Sequence, residues 1–136
     1  SPRAMAKLLL VAHGARLRGW AAAARDEYLA RMPRGYAVDC VPRAPKGARI
    51  VALDERGRDL TTAQLAAHIG RWIGEAAPTA FVIGGPDGLD DETRRGAALL
   101  LRLSSLTLPH ALAQVLLAEQ LYRAATLLTG HPYHRG

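Results

Sequence analysis

From Leu8 to Ala12 the chain offers no polar side chain at all: Lys7-Leu8-Leu9-Leu10-Val11-Ala12 runs apolar behind its lysine and ends at His13-Gly14. A strand with one wet face alternates polar and apolar residues, so an unbroken run of this length reads as a strand covered on both faces. Covering both faces takes a parallel sheet sandwiched between other layers. The rest of the sequence supplies the layers. Trp20, Ala24, Tyr28, Leu29 and Met32 recur at helical spacing, with Arg25, Asp26, Glu27 and Arg31 between them, until Pro33 and Gly35 stop the segment. That predicts an amphipathic helix laid against the first strand.

Tyr36 to Val41 and Arg49 to Leu53 are the next two strands by composition, followed by a polar turn over Asp54 to Asp59. Thr61 and Gln64 then have the spacing of a capping box, and Leu65, Ile69, Trp72, Ile73 and Ala76 carry the apolar stripe of a helix that ends before Pro78. Thr79-Ala80-Phe81-Val82-Ile83 is a fourth strand that stops at Gly84-Gly85-Pro86-Asp87-Gly88. Asp90-Asp91-Glu92 suits the positive end of a helix running toward Leu100. Leu101 to Leu108 is expected as the fifth strand, and Pro109 opens a last helix from His110 to Thr129, stopped by Gly130 and Pro132. Strands alternating with helices give an α/β fold on a mostly parallel five-stranded sheet. With 136 residues the chain holds one domain; it is set at residues 5–136, Ser1 to Ala4 being expected as a cloning scar. One link does not fit. Parallel neighbours need a crossover of about a dozen residues, and Val41 to Arg49 is too short, so the second and third strands either pair antiparallel or lack residues here.

No apolar stretch reaches the ~18 residues of a membrane span, and 49% hydrophobic residues exclude a disordered chain. A lone cysteine, Cys40, points to a reducing cytoplasm and reads as a small buried hydrophobe. Residues 1–50 hold ten cations and three anions, whereas residues 51–136 hold eight and nine. So uneven a distribution predicts a face for polyanions, with Lys7, Arg16, Arg18 and Arg25 as phosphate contacts and Arg31, Arg34 and Arg43 behind them.

Ligands of parallel sheets sit beyond the carboxyl ends of the strands. Three segments qualify: the turn after Leu53, Gly84 to Gly88, and Leu103 to Pro109. The glycine turn is neither a dinucleotide fingerprint nor a P-loop. His110, at a helix start on that side, is a site candidate, whereas His68 reads as structural. His131 and His134 have no acidic or thiol neighbours, and no metal is expected.

Four ordered motifs, Phe81 to Leu89, Leu103 to His110, Glu119-Gln120-Leu121-Tyr122-Arg123-Ala124 and His131-Pro132-Tyr133-His134-Arg135, closely resemble the ribosomal RNA large subunit methyltransferase H family of small SPOUT-class enzymes. The resemblance spans nearly the whole chain from Met5. It implies an α/β knot whose C-terminal part threads a trefoil, and a cytoplasmic homodimer acting on assembled ribosomes. It implies S-adenosyl-methionine held by Leu53, Gly84, Leu103, Ser104, Ser105, Leu106, Thr107 and Leu108. The reaction implied is methylation of N3 of a pseudouridine in large-subunit ribosomal RNA. Catalytic residues would be His110, Tyr133, His134 and Arg135, with Arg135 as electrostatic stabiliser and His134 or His110 as proton acceptor. Family chains carry about twenty more residues between the second and third strands, where this one has only Pro42 to Arg49. The competing readings are a knotted methyltransferase for transfer RNA and a non-catalytic module that docks RNA.

Overall fold

A computed structural model describes residues 6–130. The elements are β1 (Leu8–Ala12), α1 (Gly19–Ala30), β2 (Val38–Cys40), β3 (Arg49–Asp59), α2 (Thr62–Trp72), β4 (Thr79–Ile83), α3 (Asp91–Gly96), β5 (Leu99–Arg102) and α4 (His110–Thr129). They form one parallel sheet in the order β2-β1-β4-β3-β5. The apolar run Leu8–Val11 and the whole of β4 are buried, and the two strands lie side by side with Leu8 opposite Thr79 and Ala12 opposite Ile83. The least polar strands thus take positions with neighbours on both edges, as both-face burial requires.

The short link between β2 and β3 is resolved by the sheet order. The two strands are parallel and are not neighbours, because β1 and β4 lie between them. Val38, Leu8, Thr79 and Arg49 stand in one row across the sheet, so the chain must travel about three strand spacings, roughly 14 Å. Residues 41–48 can reach roughly 27 Å when extended. Neither antiparallel pairing nor missing residues is needed. The link crosses one face of the sheet, where Val41, Ala44 and Ala48 pack on Leu9, Val11, Ala52, Ala80 and Val82 together with Leu89 and Ala97.

The opposite face is the thicker layer. Leu65, Ala66, Ile69 and Trp72 of α2 and Leu117, Leu121 and Ala124 of α4 close over Leu8, Leu10, Val51, Phe81 and Leu101. Helix α2 starts as its sequence predicts, since the Thr61 hydroxyl accepts from the Gln64 N–H at 3.1 Å and the Gln64 side chain accepts from the Thr61 N–H at 2.9 Å. Thr61→Ala is expected to cost about 1 kcal/mol, read as a lower denaturant midpoint at unchanged slope.

Helix α1 lies along α4, with the Tyr28 and Tyr122 rings 6.0 Å apart, and its Leu29 packs on the core cluster that holds Leu8 and Leu10 of β1. Several expectations need correction. Trp20, assigned to the apolar stripe of α1, is 68% exposed. The polar turn over Asp54 to Asp59 is a continuation of β3, which pairs with β5 in two stretches, Val51–Leu53 and Arg58–Asp59, with residues 54–57 looped out between them. Helix α3 is short and ends at Gly96, so β5 starts at Leu99 and stops at Arg102, leaving Leu103 to Pro109 as a loop. Cys40 is exposed, because β2 is an edge strand. The last helix keeps its bounds and stops at Gly130, whose φ of 71° is the left-handed conformation that glycine adopts without strain.

Candidate functional site

Beyond the carboxyl ends of β3, β4 and β5 opens a cavity of about 550 Å3. Its walls come from the three segments singled out by the position rule. Leu53, Gly84, Leu103, Ser104, Leu106, Thr107 and Leu108 all line it; Ser105 does not, and is exposed. Ile83, Leu89 and Leu101 extend the apolar wall. Sequence reasoning missed the charged rim, Asp54, Glu55, Arg56, Arg94 and Arg102. Asp54, Glu55 and Arg56 follow Leu53 directly in a loop already selected, so their position alone could have found them.

The glycine turn is tight. A bridge joins Gly85 to Gly88, whose N–H donates to the Gly85 carbonyl at 2.9 Å. The Ser104 hydroxyl accepts from the Leu106 N–H at 2.9 Å and shapes the third loop.

His110 also lines the cavity, and its protonation pattern follows by elimination from its neighbours. Arg25 is a donor only, and its Nη1 meets Gln114 Oε1 at 2.7 Å. The Gln114 amide nitrogen therefore faces His110 Nε2, at 3.0 Å, and donates to it. Nε2 being an acceptor, the ring proton sits on Nδ1, which donates to the Gly84 carbonyl at 3.0 Å. Gln114 is only 1% exposed. This relay engages both ring nitrogens of His110 and ties the ring to the glycine turn.

Asp54 anchors the rim. Its Oδ1 accepts from the Arg56 N–H at 2.8 Å and its Oδ2 from Arg94 Nε at 2.6 Å, while Arg94 also reaches Asp91. Arg94 thereby ties α3 to the looped-out part of β3. The Arg56 N–H first, and then the Arg94 guanidinium, hold the Asp54 carboxyl below its ordinary range, against the opposing effect of burial. A carboxyl whose folded pKa is depressed stabilises the fold above its unfolded pKa, about 3.9, and loses that contribution as pH falls through the folded value. Asp54→Asn is therefore expected to lower the melting temperature at pH 7, with the difference from the parent protein shrinking below about pH 4; melts across that range check it.

The expected phosphate contacts separate. Arg16 and Arg18 are exposed beyond the carboxyl end of β1, the same end of the sheet as the cavity. Lys7 precedes β1 at the opposite end and donates to the Glu75 and Ala76 carbonyls at 2.7 and 3.0 Å. Arg25, its side chain 16% exposed, is held by Asp26 and Gln114. Lys7 and Arg25 thus have partners within the chain. Arg31 pairs with Glu27, and Arg34 and Arg43 are exposed. Among the described residues no cluster of three metal-ligating side chains is found, and no helix is long and apolar enough to cross a membrane. Tyr133, His134 and Arg135 lie outside the described residues, as does His131.

A family model described as "Predicted SPOUT methyltransferase" matches residues 37–134. A "Ribosomal RNA large subunit methyltransferase H" of Burkholderia ambifaria (strain AMMD) is 48% identical over 154 aligned positions, covering 95% of this chain and 99% of the relative. Another of that name, from Polynucleobacter asymbioticus, is 46% identical over 145 positions at the same coverage. Since 95% of 136 residues is about 129, some 25 of the 154 positions have no counterpart here. Among solved structures, "Crystal structure of TrmJ from Z. mobilis ZM4" superposes with a TM-score of 0.54 over 86% of this chain and 69% of that one, at 12% identity, a likeness of fold.

Proposed function

This chain belongs to the SPOUT methyltransferases and, among them, to the ribosomal RNA large subunit methyltransferase H family; from that premise we propose that it transfers a methyl group from S-adenosyl-methionine to N3 of a pseudouridine in the large-subunit ribosomal RNA of assembled ribosomes. The observation that carries the reading is the cavity itself, formed by the loops after β3, β4 and β5 and lined by seven of the eight residues that the family resemblance assigns to the cofactor.

The donor set suits that cofactor. About 550 Å3 is within the range of small-molecule sites. Leucine side chains offer apolar cover for an adenine ring, and the backbone groups of Gly84 to Gly88 come close because no Cβ stands in the way at Gly84, Gly85 or Gly88. The cofactor, when bound, supplies an electrophilic methyl on a sulfonium. What the chain supplies is position: Leu53, Leu103 and Leu108 exclude water, and His110 keeps the Gly84 carbonyl in place. A pseudouridine N3 must lose its proton to attack. With His110 fully engaged, His134 is the proton acceptor and Arg135 stabilises the resulting negative charge on the base.

A homodimer completes this reading, one subunit's tail finishing the other's site. It is supported by the four exposed large apolar residues of the described chain, Trp20, Leu106, Leu112 and Leu116. Trp20 opens α1, Leu112 and Leu116 stand one turn apart on α4, and Leu106 belongs to the cavity loop. Exposed apolar side chains on α1, α4 and the cavity loop are what such an interface would cover. Sedimentation is expected to give twice the 14.6 kDa chain mass.

Transfer of labelled methyl from S-adenosyl-methionine to ribosomes lacking the modification tests the function, with free ribosomal RNA and transfer RNA in parallel. Label on the pseudouridine of assembled ribosomes alone is expected, and Arg135→Ala is expected to remove it. Label on transfer RNA instead would overturn the substrate, and no transfer with cofactor bound would leave a docking module.

A further inference from the structure

Away from the cavity, a second cleft of about 160 Å3 lies between the far end of β3 and the outer face of α2, lined by Arg58, Leu60, Gln64, Ala67, His68 and Arg71. No aspartate or glutamate lines it. Arg71 Nη2 lies 2.9 Å from His68 Nδ1, and since a guanidinium only donates, Nδ1 accepts and the imidazole proton is on Nε2. That N–H has no protein acceptor among the described residues, and Arg58 has no ion pair there. The His68 ring is fixed by stacking on Trp72, with centroids 5.0 Å apart, and the Arg71 guanidinium lies 5.9 Å from the same Trp72 ring. Two guanidiniums and an imidazole N–H thus share a small concave site with no anion to answer them.

We propose that this cleft is an anion site that takes a backbone phosphate of the RNA substrate. It rests on the reading of the chain as an RNA-modifying enzyme. Three donors of this kind match the oxygens of one phosphate, and a phosphate contact positions an RNA without reading its sequence. The place is suitable. Arg56 on the cavity rim and Arg58 in the cleft are two residues apart in the chain, at most roughly 7 Å, so a phosphate in the cleft lies beside the cavity rim.

His68 reports on occupancy. Partial burial, then Arg71 and Arg58, hold its pKa below the ordinary histidine value, and α2 and β3 bring no carboxylate among the residues lining the cleft. A bound phosphate reverses that balance by favouring the imidazolium. NMR titration of the His68 ring in the full chain, identified by its loss in His68→Gln, is therefore expected to move to higher pH with inorganic phosphate and not with chloride at equal ionic strength. No movement overturns the proposal. The RNA arm uses ribosomes lacking the modification in filter binding across salt concentrations, where Arg58→Ala is expected to lower the slope of log K against log salt by about one. A shift with inorganic phosphate and an unchanged slope would mean a site for free phosphate, and would overturn the assignment to RNA. Methyl transfer by the unaltered protein, run alongside, separates the two readings. If transfer fails while phosphate still moves His68, the enzyme reading falls and the anion site stands; if transfer succeeds and His68 stays put, the cleft proposal alone falls.

Discussion

Gly84→Ala is expected to weaken binding of S-adenosyl-methionine tenfold or more while leaving most of the sheet intact. A Cβ at this position would lie 2.6 Å from the Gly88 carbonyl carbon, 2.7 Å from the Leu89 nitrogen and 2.9 Å from the Gly88 oxygen. All three are backbone atoms, so no side chain can turn aside to admit the methyl. The turn has to open, which separates the Gly85–Gly88 bridge and moves the Gly84 carbonyl away from His110 Nδ1. Forcing a methyl into packed surroundings costs about 1–3 kcal/mol, and here it falls on the wall of the cavity, where about 1.4 kcal/mol is a factor of ten in affinity. Gly96→Ala is the control, since nothing lies within 4 Å of a Cβ there and its φ is not positive. Calorimetric titration with S-adenosyl-methionine checks both variants, with thermal melts to register the fold. Unchanged affinity in Gly84→Ala would dissociate this turn from the cofactor.

Which parts of the molecule were legible beforehand follows from how local their causes are. The capping box at Thr61 and Gln64, the stop at Gly130 and the two buried strands are set by residues adjacent in sequence, and each appears where expected. The cavity loops were legible too, because a rule about parallel strands finds them without knowing the strand order. The order itself was not. Nothing local says that β4 inserts between β1 and β3, and the short link looked impossible only on the assumption that consecutive strands are neighbours. Trp20 was misplaced for a different reason. Ala21 to Ala24 put an apolar side chain on every face of the first turn of α1, so spacing does not choose which face meets α4. Cys40 reads as buried from its residue type, and its place on an edge strand is not a local property; the partners of Lys7 and Arg25, the Glu75 and Ala76 carbonyls and Gln114, are distant in sequence and escape a charge count. Charge counts assign a sign to a surface; they cannot tell a solvated arginine from one already spent on a glutamine.

That distinction gives Gln114 its importance, as a buried polar side chain in the second turn of an apolar helix. Gln114→Leu is expected to raise the KM for S-adenosyl-methionine about tenfold with a smaller change in kcat. Removing the amide leaves His110 free to place its proton on either nitrogen, and with the proton on Nε2 the Nδ1 lone pair faces the Gly84 carbonyl, a repulsive contact in place of a 3.0 Å hydrogen bond. An unmade hydrogen bond at a buried group costs roughly 1–3 kcal/mol, enough for the tenfold change. Arg25 separates positioning from mere packing. It does not line the cavity, yet its guanidinium is what turns the Gln114 oxygen away from His110. Arg25→Leu keeps Gln114 in place but lets the amide flip, so a rise in KM of several-fold is expected, smaller than that of Gln114→Leu. In Arg25→Lys, which restores a donor toward Oε1, most of the lost affinity is expected to return. A purely structural role would lower the melting temperature of all three variants and leave the KM for the cofactor where it was. The double variant Arg25→Leu/Gln114→Leu is expected to behave like Gln114→Leu alone, because both residues act through the same imidazole proton and their effects cannot add. Additive losses in KM would break the relay into two unrelated contacts.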